Sequence, residues 1–174
     1  MSGNSLDVVI GAGSAIGHAL IERWSRKGSR PVLAVARSAA SLAAAGSLGV
    51  QPQPCDYSEA ALATLAAQLQ EQSSDITRLV ICNGVLQGEG YRPERALDQL
   101  TTSAMQQVFE VNTFLPMRVL ASLAPVLKRS TAPRIGVLAA RVGSIGDNGL
   151  GGWYSYRGSK AALNMMLRCA ALEM

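Results

Sequence analysis

The sequence predicts a doubly wound α/β domain built on a parallel sheet, and three observations carry that expectation. The chain has 174 residues, 48% of them hydrophobic and only 16% charged, which suits one domain with a true buried core rather than a disordered segment. Five short runs with strand character alternate with stretches of helical periodicity. The runs are mostly continuously apolar, as strands are when helices cover both faces of a sheet.

The elements follow in order. Residues 6–10 form an apolar run closed by glycine and predict a buried first strand. Ile16, Leu20, Ile21 and Trp24 share one face of a helix predicted over 16–27, with Gly28 closing it. A second strand is predicted over 31–36, a short Ala-rich helix over 38–45 and a third strand over 50–55. Ala61, Leu62, Leu65 and Leu69 give residues 58–70 helical spacing, with Asp56 or Ser58 as cap. The fourth strand is predicted over 78–82, ending in the turn Asn83-Gly84, and a loop rich in glycine and charge runs on to about Pro93. A long helical pattern fills 102–128, where Pro116 and Pro125 predict a bend or break near each. A fifth strand is predicted over 134–139, then a glycine-rich loop over 143–152, then a helix from Tyr154 onward.

Composition excludes several function classes. Sixteen Lys and Arg against twelve Asp and Glu give +4, scattered rather than massed, so neither a nucleic-acid nor a membrane footprint is expected. No apolar run approaches the ~20 residues of a membrane helix, and the polar start lacks the pattern of a signal peptide. The expected compartment is the cytoplasm. Cys55, Cys82 and Cys169 are odd in number, lack CxxC spacing and have no histidine neighbours, so neither a disulfide framework nor a metal site is expected. Cys55 and Cys82 suit inert core thiols, and the lone His18 suits a surface or capping residue.

Gly11-Ala12-Gly13-Ser14-Ala15-Ile16-Gly17 follows the first strand and opens the first helix. A turn in that place can bring backbone close to a pyrophosphate, while the helix start supplies free N–H groups and a positive dipole end. Gly11 permits the tight turn, Gly13 the close approach and Gly17 the packing of helix on sheet. The spacing is GxGxxxG rather than GxGxxG. At the end of the second strand an acid would bind ribose hydroxyls, whereas this chain has Arg37 and Ser38. An Arg fork pairs with a 2′-phosphate, so NADP(H) is favoured over NAD(H). Tyr156 and Lys160 stand four apart at a helix start and project from one face, where the lysine cation would favour the phenolate. Tyr154 has no such partner, because position 158 is Gly.

On these motifs the chain resembles the short-chain dehydrogenase/reductase family over 6–174, and within it C-signal-like and carbonyl-reductase-like bacterial members. The resemblance implies a Rossmann-like sheet in the order 3-2-1-4-5. It implies that Gly11, Gly13, Ser14, Ala15, Ile16 and Gly17 form the cofactor turn, with Arg37, Ser38, Asp56 and Tyr57 beyond it. Asp56 would contact adenine, although a helix cap suits it equally. Cys82-Asn83-Gly84-Val85 is similar to the family's Asn-Asn-Ala-Gly segment, which places Asn83 and Gly84 beside the cofactor. Tyr156 and Lys160 match the catalytic Tyr-x-x-x-Lys, and Asn112 matches the helix-embedded asparagine of a proton relay. The pattern fails at the family's carbonyl-orienting serine, where Ala140 stands, with Ser144 four residues on as the substitute candidate. Trp153 could line a substrate pocket or pack under its loop.

The resemblance therefore implies an NADP(H)-dependent oxidoreductase acting on a small carbonyl or alcohol, assembled as a homodimer or homotetramer. The alternative is a weakly active or inactive dinucleotide-binding or signalling relative, because of Ala140. An unrelated doubly wound nucleotide-sugar or flavin binder is the third reading. Family members usually run longer, so a sixth and seventh strand and the segment that closes over substrate are expected beyond Met174.

Overall fold

The computed structural model describes residues 4–28, 30–46 and 49–174. They form two compact units, one of Met1–Cys82 with Arg118–Val137 and one of Asn83–Met117 with Leu138–Met174.

The first unit carries the sheet. Its strands are β1 (Asn4–Ile10), β2 (Val32–Ala36), β3 (Gln51–Pro54), β4 (Ser74–Ile81) and β5 (Arg134–Val137). All pair in parallel, in the order β3-β2-β1-β4-β5, as expected for a doubly wound fold. β1 and β2 lie deepest, with Val8, Val9, Ile10, Ala34 and Val35 fully buried. β3 contains Pro52 and Pro54, which a central strand could not accommodate, and it sits at the edge. β5 is the other edge, and both Arg134 and Ile135 on it are exposed.

Helices α1 (Ala15–Lys27), α2 (Ala39–Gly46) and α3 (Glu59–Glu71) follow the first three strands. α1 ends at Gly28, whose φ of 59° is the left-handed conformation that glycine adopts without steric cost, and Arg26 and Lys27 complement the dipole in its last turn. β1 holds one charge in an otherwise apolar run. Asp7 is fully buried, and Arg78 on β4 binds it through both Nε and Nη2 while its guanidinium lies 4.0 Å from the centre of the Trp24 ring. That fork satisfies both carboxylate oxygens, which is what makes a buried aspartate tolerable.

The second unit contains α4 (Thr102–Phe109) and α6 (Tyr154–Glu173), while α5 (Leu115–Arg129) passes from it into the first. The long helical pattern over 102–128 is broken in a different way from the bends expected at its prolines. The chain widens into a π turn over Glu110–Phe114, in which Leu115 N–H bonds the carbonyl of Glu110 five residues back. Pro116 has no N–H, and its ring would press on the carbonyl of Asn112 in a regular helix; the wider turn immediately before it avoids that clash. α5 then runs through Pro125 to Arg129 without interruption.

Candidate active site

In the first unit the glycine turn is held from behind. Tyr57 is buried at a φ of 65°, and its hydroxyl donates to the carbonyl of Val35 while accepting from Gly11 N–H, each at 3.2 Å. Tyr57 thus braces the turn against the end of β2. Ser14 closes the turn from inside, donating to the carbonyl of Gly11 at 2.8 Å and accepting from Gly17 N–H at 3.0 Å. That leaves the amides of Ala15 and Ile16, which a helix start cannot bond internally, on a part of the surface where both residues are exposed. The glycines are required by space. A Cβ on Gly17 would stand 2.5 Å from the carbonyl oxygen of Gly11, and one on Gly13 would stand 2.8 Å from Cβ of Ser41.

Arg37 is exposed one residue past β2, and no carboxylate pairs with it among the described residues. Ser38 accepts from Ser41 N–H at 3.2 Å and so starts α2. Asp56 is exposed and accepts from Ser58 N–H at 2.9 Å, a bond that holds its carboxyl below the usual aspartate range; Ser58 in turn caps α3. Of the two expected caps for α3, the structure uses Ser58, and Asp56 instead holds the backbone of that cap residue. Burial pushes the Cys55 thiol up, and it pushes that of Cys82 up to about 11, as inert core cysteines require.

In the second unit Asn112, Lys160 and Gly84 converge. The π turn buries Asn112, whose Oδ1 accepts from Val85 N–H at 2.7 Å. Its Nδ2 donates to the Val85 carbonyl at 2.8 Å and to Ser159 Oγ at 3.1 Å. A Cβ on Gly84 would lie 3.4 Å from Lys160 Nζ and 3.5 Å from Asn112 Oδ1, so both side chains border the same backbone position. Lys160 is 2% exposed; its Nζ donates to the carbonyl of Leu138 at 2.8 Å, and burial pulls its pKa down. Asn83 Oδ1 is buried and meets no donor among the described residues.

Tyr156 is half-buried on α6, one turn before Lys160, with the edge of the Trp153 ring against it at 6.3 Å and 79°. Its carbonyl accepts from Ser159 Oγ at 2.8 Å, and the carbonyl of Ser159 accepts from Thr113 Oγ1 at 2.8 Å. A chain of bonds therefore runs from Val85 through Asn112 and Ser159 to the turn that bears Tyr156. Ser144 lies elsewhere. With Tyr154, Arg157, Gly158 and Ala161 it lines a cavity of about 320 Å³, and neither Tyr156 nor Lys160 lines it.

Four participants were not foreseen. Gly143 lets the turn after β5 lie directly on α6, since a Cβ there would stand 2.8 Å from Cβ of Lys160. Ser159 and Thr113 lock the π turn to α6. Glu94 is 3% exposed and binds the start of α6. A glycine three residues past an expected serine position, and a Ser inside the Tyr-x-x-x-Lys segment, were the available signals for Gly143 and Ser159. Glu94 had none.

A family model for short chain dehydrogenases matches residues 7–174. A 1-hydroxy-2-glutathionyl-2-methyl-3-butene dehydrogenase of Rhodococcus sp. (strain AD45) is 32% identical over 159 residues, covering 91% of this chain and 66% of that protein. The C-signal protein of Myxococcus xanthus is 35% identical over 79 residues, covering 45% of this chain and 48% of that protein. Among solved structures, a short-chain dehydrogenase/reductase of Burkholderia multivorans with bound NADP is 25% identical, with a TM-score of 0.79 over 98% of this chain and 73% of that one.

Proposed function

The chain belongs to the short chain dehydrogenase family, and from that premise we propose that it is an NADP(H)-dependent oxidoreductase that interconverts a small carbonyl compound and its alcohol. The observation that carries this reading is the Asn112–Ser159–Tyr156–Lys160 arrangement, because Asn112, Ser159 and Lys160 are each held in place by hydrogen bonds in the unit that bears Tyr156. The start of α1 fits a dinucleotide pyrophosphate, with amides of Ala15 and Ile16 that meet no acceptor among the described residues. Arg37, exposed and without a carboxylate partner, fits a 2′-phosphate. Ser38 beside it and the Asp56 carboxylate would bound the adenosine. Asn83 Oδ1, a buried acceptor with no donor of its own, fits a ligand group that carries one. Gly84 leaves that same backbone open.

When bound, the nicotinamide supplies or accepts the hydride. The protein's task is the proton. Tyr156 donates from its hydroxyl to the carbonyl oxygen during reduction and takes the proton back during oxidation. Lys160, on the same face of α6, stabilises the phenolate that remains. Asn112, clamped by Val85 and Ser159, holds the lysine's surroundings fixed rather than moving with turnover. Ala140 offers no hydroxyl, and Ser144 faces the cavity beside Arg157, so Tyr156 alone donates to the carbonyl oxygen in this reading. The loss of one such donor costs on the order of 3 kcal/mol, about a hundredfold in rate, which predicts a slow enzyme rather than a dead one. The Rhodococcus relative, named for an alcohol that it dehydrogenates, supports the substrate class. The reading also includes a cytoplasmic homodimer or homotetramer, supported by the exposed Met165 and Leu172 on α6.

The test is carbonyl-dependent oxidation of NADPH over a panel of aldehydes and ketones, with Tyr156→Phe beside the wild type. Turnover that falls ~10³-fold in the variant while NADPH affinity holds is expected. Full activity in Tyr156→Phe, or none in the wild type on any substrate, contradicts the reading.

A further inference from the structure

The start of α6 lacks what a helix start normally has. Its N-cap residue, Trp153, makes no side-chain capping bond. Its backbone is left-handed, with φ of 53°, and so are Gly151 at 66° and Gly152 at 63° just before it. Two glycines accept that conformation freely; a tryptophan does so only at a steric cost, which the surroundings must offset. The surroundings are Glu94. Its main-chain carbonyl accepts from Trp153 N–H. Its carboxylate accepts from Ser155 N–H at 3.2 Å and from Ser155 Oγ. One residue, 61 positions upstream, thus supplies three acceptors to the first turn of the helix. The approach is so close that a Cβ on Gly152 would stand 3.3 Å from the Glu94 carbonyl oxygen.

The carboxylate is buried, yet it is well placed. It faces the positive end of the α6 dipole and uses both oxygens. Its two anchors flank Tyr156 in a specific sense. Ser155 is the preceding residue, and the Trp153 ring packs edge-on against the phenol ring. The far side of the same turn is fixed by Ser159 bonding the Tyr156 carbonyl.

We propose that Glu94 is a positioning residue for Tyr156, acting through Trp153 and Ser155 to set the direction of the phenol hydroxyl. The proposal rests on the reading of Tyr156 as the proton donor. Glu94 would touch neither substrate nor cofactor, so its removal should impair the proton transfer step and leave binding alone. A misplacement of about 1 Å at a reacting group costs up to about a hundredfold.

The experiment compares Glu94→Ala, Glu94→Gln and Tyr156→Phe with the wild type, reading kcat, KM for the best carbonyl substrate and the Kd for NADPH by fluorescence. Glu94→Ala should lower kcat by ~10- to 100-fold, with KM and Kd within about threefold of wild type. Glu94→Gln should recover kcat to within about threefold, because an amide oxygen still accepts from Ser155 N–H and the amide nitrogen can donate to Ser155 Oγ. An unchanged kcat in Glu94→Ala overturns the proposal, as does a Gln variant as impaired as the Ala variant. If Glu94→Ala does not fold, Ser155→Ala carries the test: a kcat reduced about fivefold or more at unchanged NADPH affinity supports the proposal, and an unchanged kcat overturns it. Tyr156→Phe separates the two readings. Full turnover there removes Tyr156 as the donor; a dead Tyr156→Phe beside a fully active Glu94→Ala removes only the role of Glu94.

Discussion

The two helices to which the proposed chemistry is assigned begin in opposite ways. α1 is capped locally by Ser14, three residues before the amide that it binds, and the amides of the exposed Ala15 and Ile16 in its first turn meet no acceptor among the described residues. α6 has no local cap at all, and a carboxylate from a distant loop closes its first turn. In the proposed function, the difference follows from what each start would do. A helix start that seats a phosphate has to keep its N–H groups free, and it needs glycines so that the ligand can come close to backbone. One that aims a phenol has to be immobile, and a buried, doubly bonded acid makes it so.

That contrast explains what could be read from the chain. The glycine turn is written in consecutive residues, because a tight turn needs Gly11, Gly13 and Gly17 at fixed offsets whatever surrounds them. Tyr156 and Lys160 were legible for the same reason, since helix geometry alone places positions four apart on one face. The parallel sheet covered on both faces followed from continuous apolar runs, and its strand order from the family resemblance. Where side chains act across the fold, the sequence was silent. Glu94 stands in a loop among glycines and charges, and nothing local distinguishes it from a solvated acid. Tyr57 was expected beside the cofactor, and the structure places its hydroxyl behind the turn as a brace. β4 begins at Ser74, four residues earlier than the apolar run suggested, because Ser74, Asp75 and Ile76 pair with Asn4, Ser5 and Leu6 at the polar start of β1. The π turn was invisible too, for Pro116 announces a disturbance without saying which neighbour will absorb it.

The comparison can be broken most sharply at Gly17. Gly17→Ala places a methyl group 2.5 Å from a backbone oxygen, which no rotamer can relieve. A loss of about 1–3 kcal/mol in stability is expected, with NADPH affinity lowered more than tenfold; calorimetric melting and a fluorescence titration check both. A variant that binds NADPH normally would mean that the turn is less tightly specified than the packing indicates.

A smaller effect probes the α6 side. Burial lowers the pKa of Lys160, so over the interval from that lowered value up to its unfolded value near 10.5 the native state binds fewer protons than the unfolded state. Stability contributed at this position therefore rises with pH through that interval, and below it the charged lysine bears the full cost of burial. Against Lys160→Met, the wild type should gain a few tenths of a molar in urea midpoint between neutral pH and pH ~10. A gap that stays constant with pH would show that the lysine is not desolvated.

In the proposed function the start of α1 is an open seat for a phosphorylated dinucleotide, and side-by-side titration of the wild type with NADPH and NADH tests this most directly. Binding of NADPH at least ~10-fold tighter than NADH, with the preference lost in Arg37→Ala, is the predicted result. Equal affinity for the two would contradict Arg37 as the reader of the 2′-phosphate, and binding of neither would contradict the seat itself.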